Sequence, residues 1–356
     1  MTQNQFLGAD LGPLVLALGG VGDLEQVLAE TLAQITANNF PLRAEALAEQ
    51  ICSKQPHVVG LQEVFRFTIN DISGPPAPLP FVDHLEELMS KIADQCGNYV
   101  VGASVQHIDV AQDVPGFGTI GFTDRDVILV RDDVLSTPIP FVGNACPDES
   151  TVSGVFGVPP SGCHFTNLVP LPLPFGEILR GYVGVTAFVE GVPHNVVNTH
   201  LEVMQPDPMN PLSTFFQAAQ ATELITVLSQ LPDEVRTILV GDINSSPDDA
   251  ADPTLFFVPP YAQFTNGVDL AGQPIQSPST YADAWNFRRG RDPGFTCCHS
   301  EDLTTRRTDH DERIDVIFSL QTPSRVKANV MGGEASDRVM GLWPSDHCTV
   351  DGDITF

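Results

Sequence analysis

The sequence predicts a layered α/β protein, and three observations carry that prediction. Apolar residues recur at helical spacing in four segments, residues 24–38, 42–55, 81–95 and 212–231. Short apolar runs with strand character lie between and after these segments. Hydrophobic residues make up 42% of the 356 residues and charged residues 17%, so the chain can bury a large apolar interior. Helices packed against sheets follow from this alternation.

The helical segments are expected on the outside of the molecule. The second is the clearest, because Pro41 stands near its start, where a missing N–H costs little, and Pro56 stands just beyond its end. Leu47 and Ile51, four residues apart, fall on one face of that helix. Strands are expected at residues 57–62, 99–103, 127–130, 183–188, 195–199, 237–240 and 314–318, with no repeat at a fixed period.

Three Pro-rich stretches interrupt this pattern, at residues 74–81, 155–175 and 256–264, and are expected to be loops. No linker divides the chain, so residues 1–356 are expected to form a single catalytic domain with irregular loops near 74–81, 138–180 and 253–280. The loops combine Pro with Phe and Leu, as in residues 171–175. They either pack back over the body or offer apolar surface for peripheral contact with a lipid.

The net charge of −28, from 17 Lys plus Arg against 45 Asp plus Glu, opposes attraction to polyanions. Nucleic-acid binding is therefore disfavoured, although a bound metal or a local basic strip could supply positive potential. Such a strip exists in the sequence, at Arg288, Arg289, Arg291, Arg306, Arg307 and Arg313. These arginines either attract an anionic phosphate substrate or neutralise nearby acids, namely Glu301, Asp302, Asp309, Asp311 and Glu312.

Seven cysteines without zinc spacing are compatible with disulfides, and their odd number leaves at least one thiol unpaired if all bridges are internal. Cys146 and Cys163 bracket an irregular stretch and are the first candidate pair. Cys297 and Cys298 are expected to face different surroundings, because a bridge between adjacent cysteines is strained.

No secretory signal stands at the start, and the apolar stretch at residues 14–21 is too short to span a bilayer. A soluble monomer is expected. It is either secreted, with a leader that is absent from this sequence, or cytoplasmic.

Several predicted strands run directly into polar side chains, as though all delivered them to one rim of a sheet. Glu63 follows residues 57–62, His200 follows 195–199, and Asp242 follows 237–240 with Asn244 two residues on. Near the C-terminus, the strand that contains Asp315 precedes Asp346 and His347. Each residue alone has an ordinary structural explanation, but sites in α/β sheets are built in this way.

The joint pattern is specific. LQEV at 61–64, NTHLE at 198–202, GDINSSP at 241–247, RIDVIF at 313–318 and SDH at 345–347 occur in this order. The chain thereby resembles the endonuclease/exonuclease/phosphatase superfamily from Asn4 to His347. The resemblance implies a four-layer α/β/β/α sandwich with two packed mixed β-sheets. The family's first motif is an Asn at the end of the opening strand, and almost nothing precedes Asn4, so this strand is truncated or Asn4 is not the expected residue.

The resemblance also implies roles for these residues. Glu63 would be the principal metal ligand, supported by Asn4, with Asp346 sharing a second position. Such oxygen ligands suit Mg²⁺, with Mn²⁺ or Ca²⁺ as substitutes.

The remaining residues would perform catalysis. Asp242 and His347 are the two candidates for activating water, with Asp315 orienting His347. His200 would be a phosphate hydrogen-bond donor or the general acid, and Asn244 would hydrogen-bond the phosphate or the nucleophile.

Asp124, Arg125 and Asp126 form a further charged group before the strand at 127–130. They are either a rim of the site or a structural salt bridge.

The function expected from the sequence is metal-dependent hydrolysis of a phosphate ester. The favoured substrate is a lipid or small organic phosphodiester, as in the sphingomyelinase branch of the family. A Mg²⁺-dependent endo- or exonuclease is the alternative, and a non-catalytic binding protein on the same fold is the second alternative.

Overall fold

The computed structural model describes residues 1–70, 79–97, 99–114, 118–141, 146, 161–170, 177–204, 214–252, 255–276, 279–288, 292–308 and 310–356. Within these ranges two β-sheets pack face to face, and helices cover the outer face of each sheet. The predicted four-layer α/β/β/α sandwich is therefore confirmed.

The first sheet contains eight strands in the described part of the chain. They are β1 (Thr2–Asn4), β2 (Val58–Gln62), β3 (Arg66–Asn70), β4 (Leu79–Asp83), β5 (Tyr99–Val114), β6 (Gly118–Arg131), β16 (Arg325–Met331) and β17 (Thr349–Thr355). Their order is β16-β17-β1-β2-β6-β3-β4, and β5 pairs with β6. The β1–β2 pair is parallel and the other pairs are antiparallel.

The second sheet contains seven strands among the described residues. They are β7 (Leu135–Pro138), β8 (Cys163–His164), β11 (Gly181–Val189), β12 (Val192–His200), β13 (Arg236–Asp242), β14 (Ala282–Asp283) and β15 (Asp315–Ser319). Their order is β14-β15-β13-β12-β11-β7, and β8 pairs with β11. A separate short ladder joins β9 (Val169–Pro170) to β10 (Glu177–Ile178).

Six α-helices complete the described layers. They are α1 (Gly12–Leu18), α2 (Leu24–Asn38), α3 (Phe40–Lys54), α4 (His84–Gln95), α5 (Phe215–Leu228) and α6 (Pro260–Asn266). Helices α3 and α4 bury their apolar faces against the first sheet, and α5 and α6 against the second. No helix in the described ranges is both long enough and apolar enough to cross a membrane.

The predicted helices differ from the observed ones mainly at their starts. Helix α2 has the predicted bounds, and α3 begins two residues before the prediction. The segment predicted as a helix from residue 81 continues β4 to Asp83 and becomes helical at His84. The reason is a cap, because the Asp83 carboxylate accepts hydrogen bonds from the N–H groups of Leu85 and Glu86. In the last segment the helix spans Phe215–Leu228, so it ends three residues before the prediction, and residues 212–213 lie outside the described ranges.

All three stretches predicted as loops contain regular structure that the prediction missed. Residues 256–264 include the start of α6, where Pro260 occupies the first turn, a position that tolerates its missing N–H. Residues 79–81 belong to β4, which pairs with β3, whereas residues 74–78 lie outside the described ranges. In the third stretch, residues 155–160 and 171–175 also lie outside them, and residues 161–170 include β8 and β9.

The opening strand β1 is short, but it is paired on both sides. Thr2 lies opposite Gly60 of β2 and opposite Val350 of β17, and Asn4 lies opposite Gln62. Asn4 therefore ends β1 at the level where β2 ends, one residue before Glu63. Three residues of strand are enough to place Asn4 where the sequence motif expects it.

Three cysteine pairs are bonded. The predicted Cys146–Cys163 bridge is present. The expectation for Cys297 and Cys298 was wrong, because they are joined to each other. An unpredicted bridge, Cys52–Cys96, links α3 to the residue after α4, and Cys348 is the buried free thiol that the odd number required.

Asn198 of β12 joins the two sheets near one rim of the sandwich. Its amide donates to the carbonyl of Leu61 in the opposite sheet over 2.9 Å, and its oxygen accepts from Gln62 over 2.5 Å. The sheets approach closely there, since a Cβ on Gly60 would lie 2.6 Å from Val240 Cγ2. The ends of β2 and β12 are thereby held at a fixed separation.

Arg43 of α3 is fully buried and organises the chain beneath the same rim. Its guanidinium donates to the carbonyl oxygens of Gln5, Phe6, Asn38 and Pro344 at 2.8–3.1 Å. The carbonyls of Gln5 and Phe6 directly follow Asn4 in the chain, and the carbonyl of Pro344 lies two residues before Asp346. One side chain thus fixes the backbone on which two candidate metal ligands stand.

Arg43→Met should lower the free energy of unfolding by at least about 3 kcal/mol, since it leaves buried carbonyls without donors. Denaturant titration followed by circular dichroism measures the loss. Arg325→Met, at an exposed position of β16, is the matched control. Equal unfolding free energies for the two variants would contradict this role of Arg43.

Candidate active site

All residues predicted for the site lie at the rim where β1, β2, β12 and β13 end and β15 begins. Asn4, His200 and Asp242 are the last residues of their strands, and Asp315 is the first residue of its strand. Across the ladders, Asp242 lies opposite both His200 and Asp315. The remaining residues, Glu63, Asn244, Asp346 and His347, stand on loops that continue from or lead into these strands.

The backbone at this rim is locally strained. Glu63 and Asn244 both adopt left-handed conformations, with φ of 54° and 49°. Gly241 has φ of 149°, and a Cβ there would lie 2.1 Å from the Thr199 carbonyl oxygen. Such conformations persist only where the surrounding structure imposes them, and they are concentrated at functional sites.

Asn4 connects two carboxylates. Its amide nitrogen lies 3.3 Å from Glu63 Oε1 and 3.0 Å from Asp242 Oδ2. The other oxygen of Glu63 accepts a hydrogen bond from the Leu7 N–H over 2.9 Å. Glu63 is half-buried.

His347 and Asp315 form a close pair, as the sequence predicted. Nδ1 of His347 lies 2.8 Å from Asp315 Oδ2 and 3.7 Å from Asp242 Oδ2. Because Asp315 accepts a hydrogen bond from Nδ1–H, Nε2 lies on the other side of the ring, 3.9 Å from Cys298 Sγ and 4.0 Å from Asp346 Oδ1.

Charge and burial shift the pKa values in opposite directions. Burial would lower the pKa of His347, but the charges of Asp315, Asp346 and Asp242 outweigh it and raise that pKa well above its usual value. Burial, together with the charge of Asp315, raises the pKa of Asp242 to about 7. Burial also raises the pKa of Asp346 to about 6, and the charge of Glu63 adds to this effect.

His200 has a different environment. Its Nε2 lies 3.6 Å from Asp242 Oδ2, while its Nδ1 lies 2.8 Å from Nη1 of Arg180. Burial and the charge of Arg180 lower the pKa of His200 well below its usual value. Arg180 was missed by sequence reasoning, because it is a single cation after a Pro-rich stretch and belongs to no motif.

Asn244 makes a hydrogen bond to the Asp242 carboxylate. Its backbone N–H donates to Asp242 Oδ1 over 2.9 Å, and its side-chain amide donates to the Leu201 carbonyl over 2.9 Å. The side-chain nitrogen therefore binds the protein backbone, and the predicted contact with phosphate or nucleophile would fall to the amide oxygen.

In the group of Asp124, Arg125 and Asp126, the arginine and the two aspartates have different surroundings. Arg125 is structural, since it bonds to Asp83 over 2.7 Å and to the Val64 carbonyl over 3.0 Å. Asp124 and Asp126 are buried, and Asp126 lies 3.0 Å from Nε2 of His107. Burial raises the pKa of Asp124 to about 6 and lowers that of His107 to about 4. These two aspartates are therefore buried groups and do not form an exposed rim.

In the part of this arginine-rich segment that the structure describes, two arginines pair with acids other than those proposed from the sequence. Arg313 pairs with buried Asp283, and Arg288 lies over the Trp285 ring and 3.7 Å from Asp292. Arg306 and Arg307 are exposed, whereas Arg289, Arg291 and Asp309 lie outside the described residues.

The oxygen ligands at the rim fit a hard divalent cation. Glu63 and Asp346 carry charges that repel each other, and a cation between them would remove that repulsion. In the described part of the chain, Asp242, Asp315 and His347 also offer ligand atoms within 4.8 Å of one another. In that group, however, the contact between Asp315 and Nδ1 of His347 has the length of a hydrogen bond. This length favours an imidazole that Asp315 orients over three residues that bind a metal ion.

The fold has counterparts among solved structures. An endonuclease/exonuclease/phosphatase family protein from Leptotrichia buccalis matches with a TM-score of 0.51 and 16% identity, covering 88% of this chain and 93% of its own. A mannosyl-6-phosphatase from Bacteroides thetaiotaomicron matches with a TM-score of 0.48 and 15% identity, covering 90% and 92%. An endonuclease/exonuclease/phosphatase from Beutenbergia cavernae matches with a TM-score of 0.47 and 22% identity, covering 87% and 65%.

No protein-family model and no curated protein matches the sequence. The structural match to the Leptotrichia protein extends over most of both chains, and the layers, sheet pairing and strand ends agree with the architecture that the motifs implied. This chain has the fold of the endonuclease/exonuclease/phosphatase superfamily.

Proposed function

We propose that this protein is a metal-dependent phosphoester hydrolase. The observation that carries the proposal is the contact network around Asp242 Oδ2. This one oxygen faces the amide of Asn4 and the imidazoles of His200 and His347, at 3.0, 3.6 and 3.7 Å. Glu63 reaches the network through Asn4, and Asp315 reaches it through His347. Proton acceptors, hydrogen-bond donors and candidate oxygen ligands thus converge at one rim of the sandwich.

Glu63 would hold a Mg²⁺ ion, with Asn4 and Asp346 as the supporting oxygen ligands. Bound there, the ion would neutralise negative charge on the phosphoryl oxygens of the substrate. Arg43 lies behind these ligands, and its charge interacts with those of both Glu63 and Asp346. The cation site would therefore stand on a rigid, fully buried support.

The chain's own residues would handle the attacking water. The water oxygen forms the new bond to phosphorus, and its proton passes to the Asp242–His347 pair. The bond from phosphorus to the leaving oxygen breaks, and that oxygen takes up a proton from solvent. Asp315 keeps the His347 ring oriented through its hydrogen bond to Nδ1, so that Nε2 lies on the side of Asp346.

The favoured substrate is a lipid or another amphiphilic phosphodiester. Four phenylalanines form a continuous ring cluster, in which Phe215 contacts Phe216 and Phe257, and Phe257 contacts Phe256. Phe256 is 71% exposed. The cluster stands beside the catalytic loop, because Gln217, next to Phe216, hydrogen-bonds to the Asn244 carbonyl over 2.5 Å. An apolar surface next to the Asn244 loop suits the apolar part of such a substrate, and the charge of −28 disfavours a polyanion.

His347→Ala and Asp242→Asn should each lower phosphodiester turnover by about 100-fold or more, because each removes a group that handles the proton of the attacking water. The assay uses purified protein with Mg²⁺ or EDTA on sphingomyelin, phosphatidylcholine, plasmid DNA, an inositol polyphosphate and bis-p-nitrophenyl phosphate.

His194→Ala is the matched control for that assay, since His194 lies near the start of β12, far from the rim. Turnover that survives EDTA or His347→Ala would refute the proposed chemistry. Exclusive cleavage of plasmid DNA would select the nuclease alternative.

Glu63→Gln should weaken Mn²⁺ binding by more than about tenfold, since even the outer partners of metal ligands contribute 10- to 100-fold to affinity. Isothermal titration measures this without any substrate. Glu49→Gln, on the exposed face of α3, is the matched control. Equal affinity in the two variants would remove Glu63 from the cation site.

Phe256→Ser should lower turnover of a phosphodiester presented in vesicles, by about tenfold if one side chain's apolar contact is lost. Turnover of water-soluble bis-p-nitrophenyl phosphate should stay unchanged. Leu135→Ser is the control, because Leu135 is 70% exposed on β7 at the opposite rim. An equal effect on both substrates would count against a role for the phenylalanine cluster in substrate binding.

A further inference from the structure

Arg180 stands between the catalytic rim and the buried acidic group that includes Asp124 and Asp126. Its carbonyl accepts a hydrogen bond from the Phe165 N–H over 2.9 Å, which fixes its backbone immediately before β11. Its side chain is 14% exposed. One end of the guanidinium meets His200 Nδ1 at 2.8 Å, and another nitrogen lies 3.8 Å from Glu202 Oε1.

The chemistry of this contact assigns the proton on His200. A guanidinium stays protonated in proteins and offers only donors, so an atom 2.8 Å from Nη1 must accept. Nδ1 of His200 therefore carries a lone pair, and the ring's single proton is on Nε2. That proton is on the side of the ring nearest Asp242 Oδ2, which is 3.6 Å away.

Acidic neighbours keep the Arg180 guanidinium protonated. Burial lowers the pKa of Arg180, but the charges of Glu202, Asp124, Glu63 and Asp126 outweigh it and raise that pKa above its usual value. Protonation of His200 would place a second positive charge directly against this guanidinium, and the electrostatic cost keeps the imidazole neutral.

A β-bulge contributes to this arrangement. Between β5 and β6, Gln106 lies opposite Arg125 and Ile108 lies opposite Asp124, so His107 is an extra residue without a partner of its own. The bulge brings Nε2 of His107 within 3.0 Å of Asp126 Oδ2. Bulges commonly re-aim a side chain next to an active site.

We propose that Arg180 is a positioning residue that fixes His200 as a neutral Nε2–H hydrogen-bond donor, so that His200 stabilises the phosphoryl group and transfers no proton. The proposal rests on the hydrolase function for its catalytic part. Proton transfer is then left to the Asp242–His347 pair. His200 thereby takes the first of the two roles expected from the sequence, and the general-acid role is excluded.

Substitution of His200 separates the two roles. Glutamine places an amide N–H close to the position of Nε2–H, whereas alanine has no donor. For a neutral donor, His200→Ala should lower kcat by about 100- to 1,000-fold and His200→Gln by about tenfold or less. If His200 transfers a proton, the two variants should lose equal activity, and that result would overturn the proposal.

Nitrogen NMR of the full chain tests the tautomer without any substrate. In protein labelled with ¹⁵N-histidine, the His200 ring, identified by its absence from the His200→Gln spectrum, should show a protonated Nε2 and an unprotonated Nδ1. Protonation at Nδ1, or at both nitrogens, at neutral pH would overturn the proposal. A protein that hydrolyses no phosphoester but shows the expected tautomer would lose the proposed function alone.

Arg180→Met should lower kcat by about 10- to 100-fold with a smaller change in KM, and should move part of the His200 proton to Nδ1. Arg180→Lys keeps a cationic donor. It should recover part of the lost kcat and part of the proton at Nε2 of His200. Arg131→Met is the matched control, because Arg131 bonds to Asp133 and the Gln55 carbonyl at the opposite rim. An unchanged His200 spectrum in folded Arg180→Met would overturn the positioning role.

Discussion

The concentration of carboxylates at one rim of the sandwich is the constraint on which the rest of the site depends. Buried or half-buried acids converge there from both sheets, namely Glu63, Asp124, Asp126, Glu202, Asp242, Asp315 and Asp346. Charges removed from water must be paired, and three cationic groups are arranged for this purpose. Arg43 interacts with Glu63 and Asp346, Arg180 with Glu202 and Asp124, and His347 with Asp315 and Asp242. The charges of Glu63 and Asp346 still repel each other, and this region is where we propose that a divalent cation binds.

The sheets supply the geometry that makes this concentration possible. The parallel pairs β1–β2 and β12–β13 bring four strand ends to one rim, and β15 runs in the opposite direction and begins there. Asn198 fixes the distance between the sheets through hydrogen bonds to Leu61 and Gln62. Residues from distant parts of the chain therefore meet with little freedom, and the left-handed backbone at Glu63 and Asn244 is retained under that constraint.

The features that depend on local sequence pattern could be predicted from the sequence. Apolar runs such as residues 57–62 and 237–240 predicted strands, and the polar residue after each run predicted the rim to which the structure brings Glu63 and Asp242. The polar strand β17 (Thr349–Thr355) was missed because Asp351 and Asp353 interrupt any apolar run. The start of α4 was misplaced because one cap at Asp83 outweighs the apolar periodicity before it.

Features that depend on side-chain direction or on contacts between distant residues could not be predicted from the sequence. The adjacency of Cys297 and Cys298 says nothing about where their sulfur atoms point. Arg180 contacts a histidine twenty residues away, across the β11–β12 hairpin, and no short motif marks such a pair.

The surroundings of the two histidines show why these contacts matter. His200 and His347 approach the same oxygen of Asp242 at nearly equal distances, 3.6 and 3.7 Å. Their pKa values nevertheless shift in opposite directions, because the nearest partner of one ring is a guanidinium and that of the other is a carboxylate. Identical side chains around one carboxylate thus become different chemical groups, and the difference is set by the residue behind each ring.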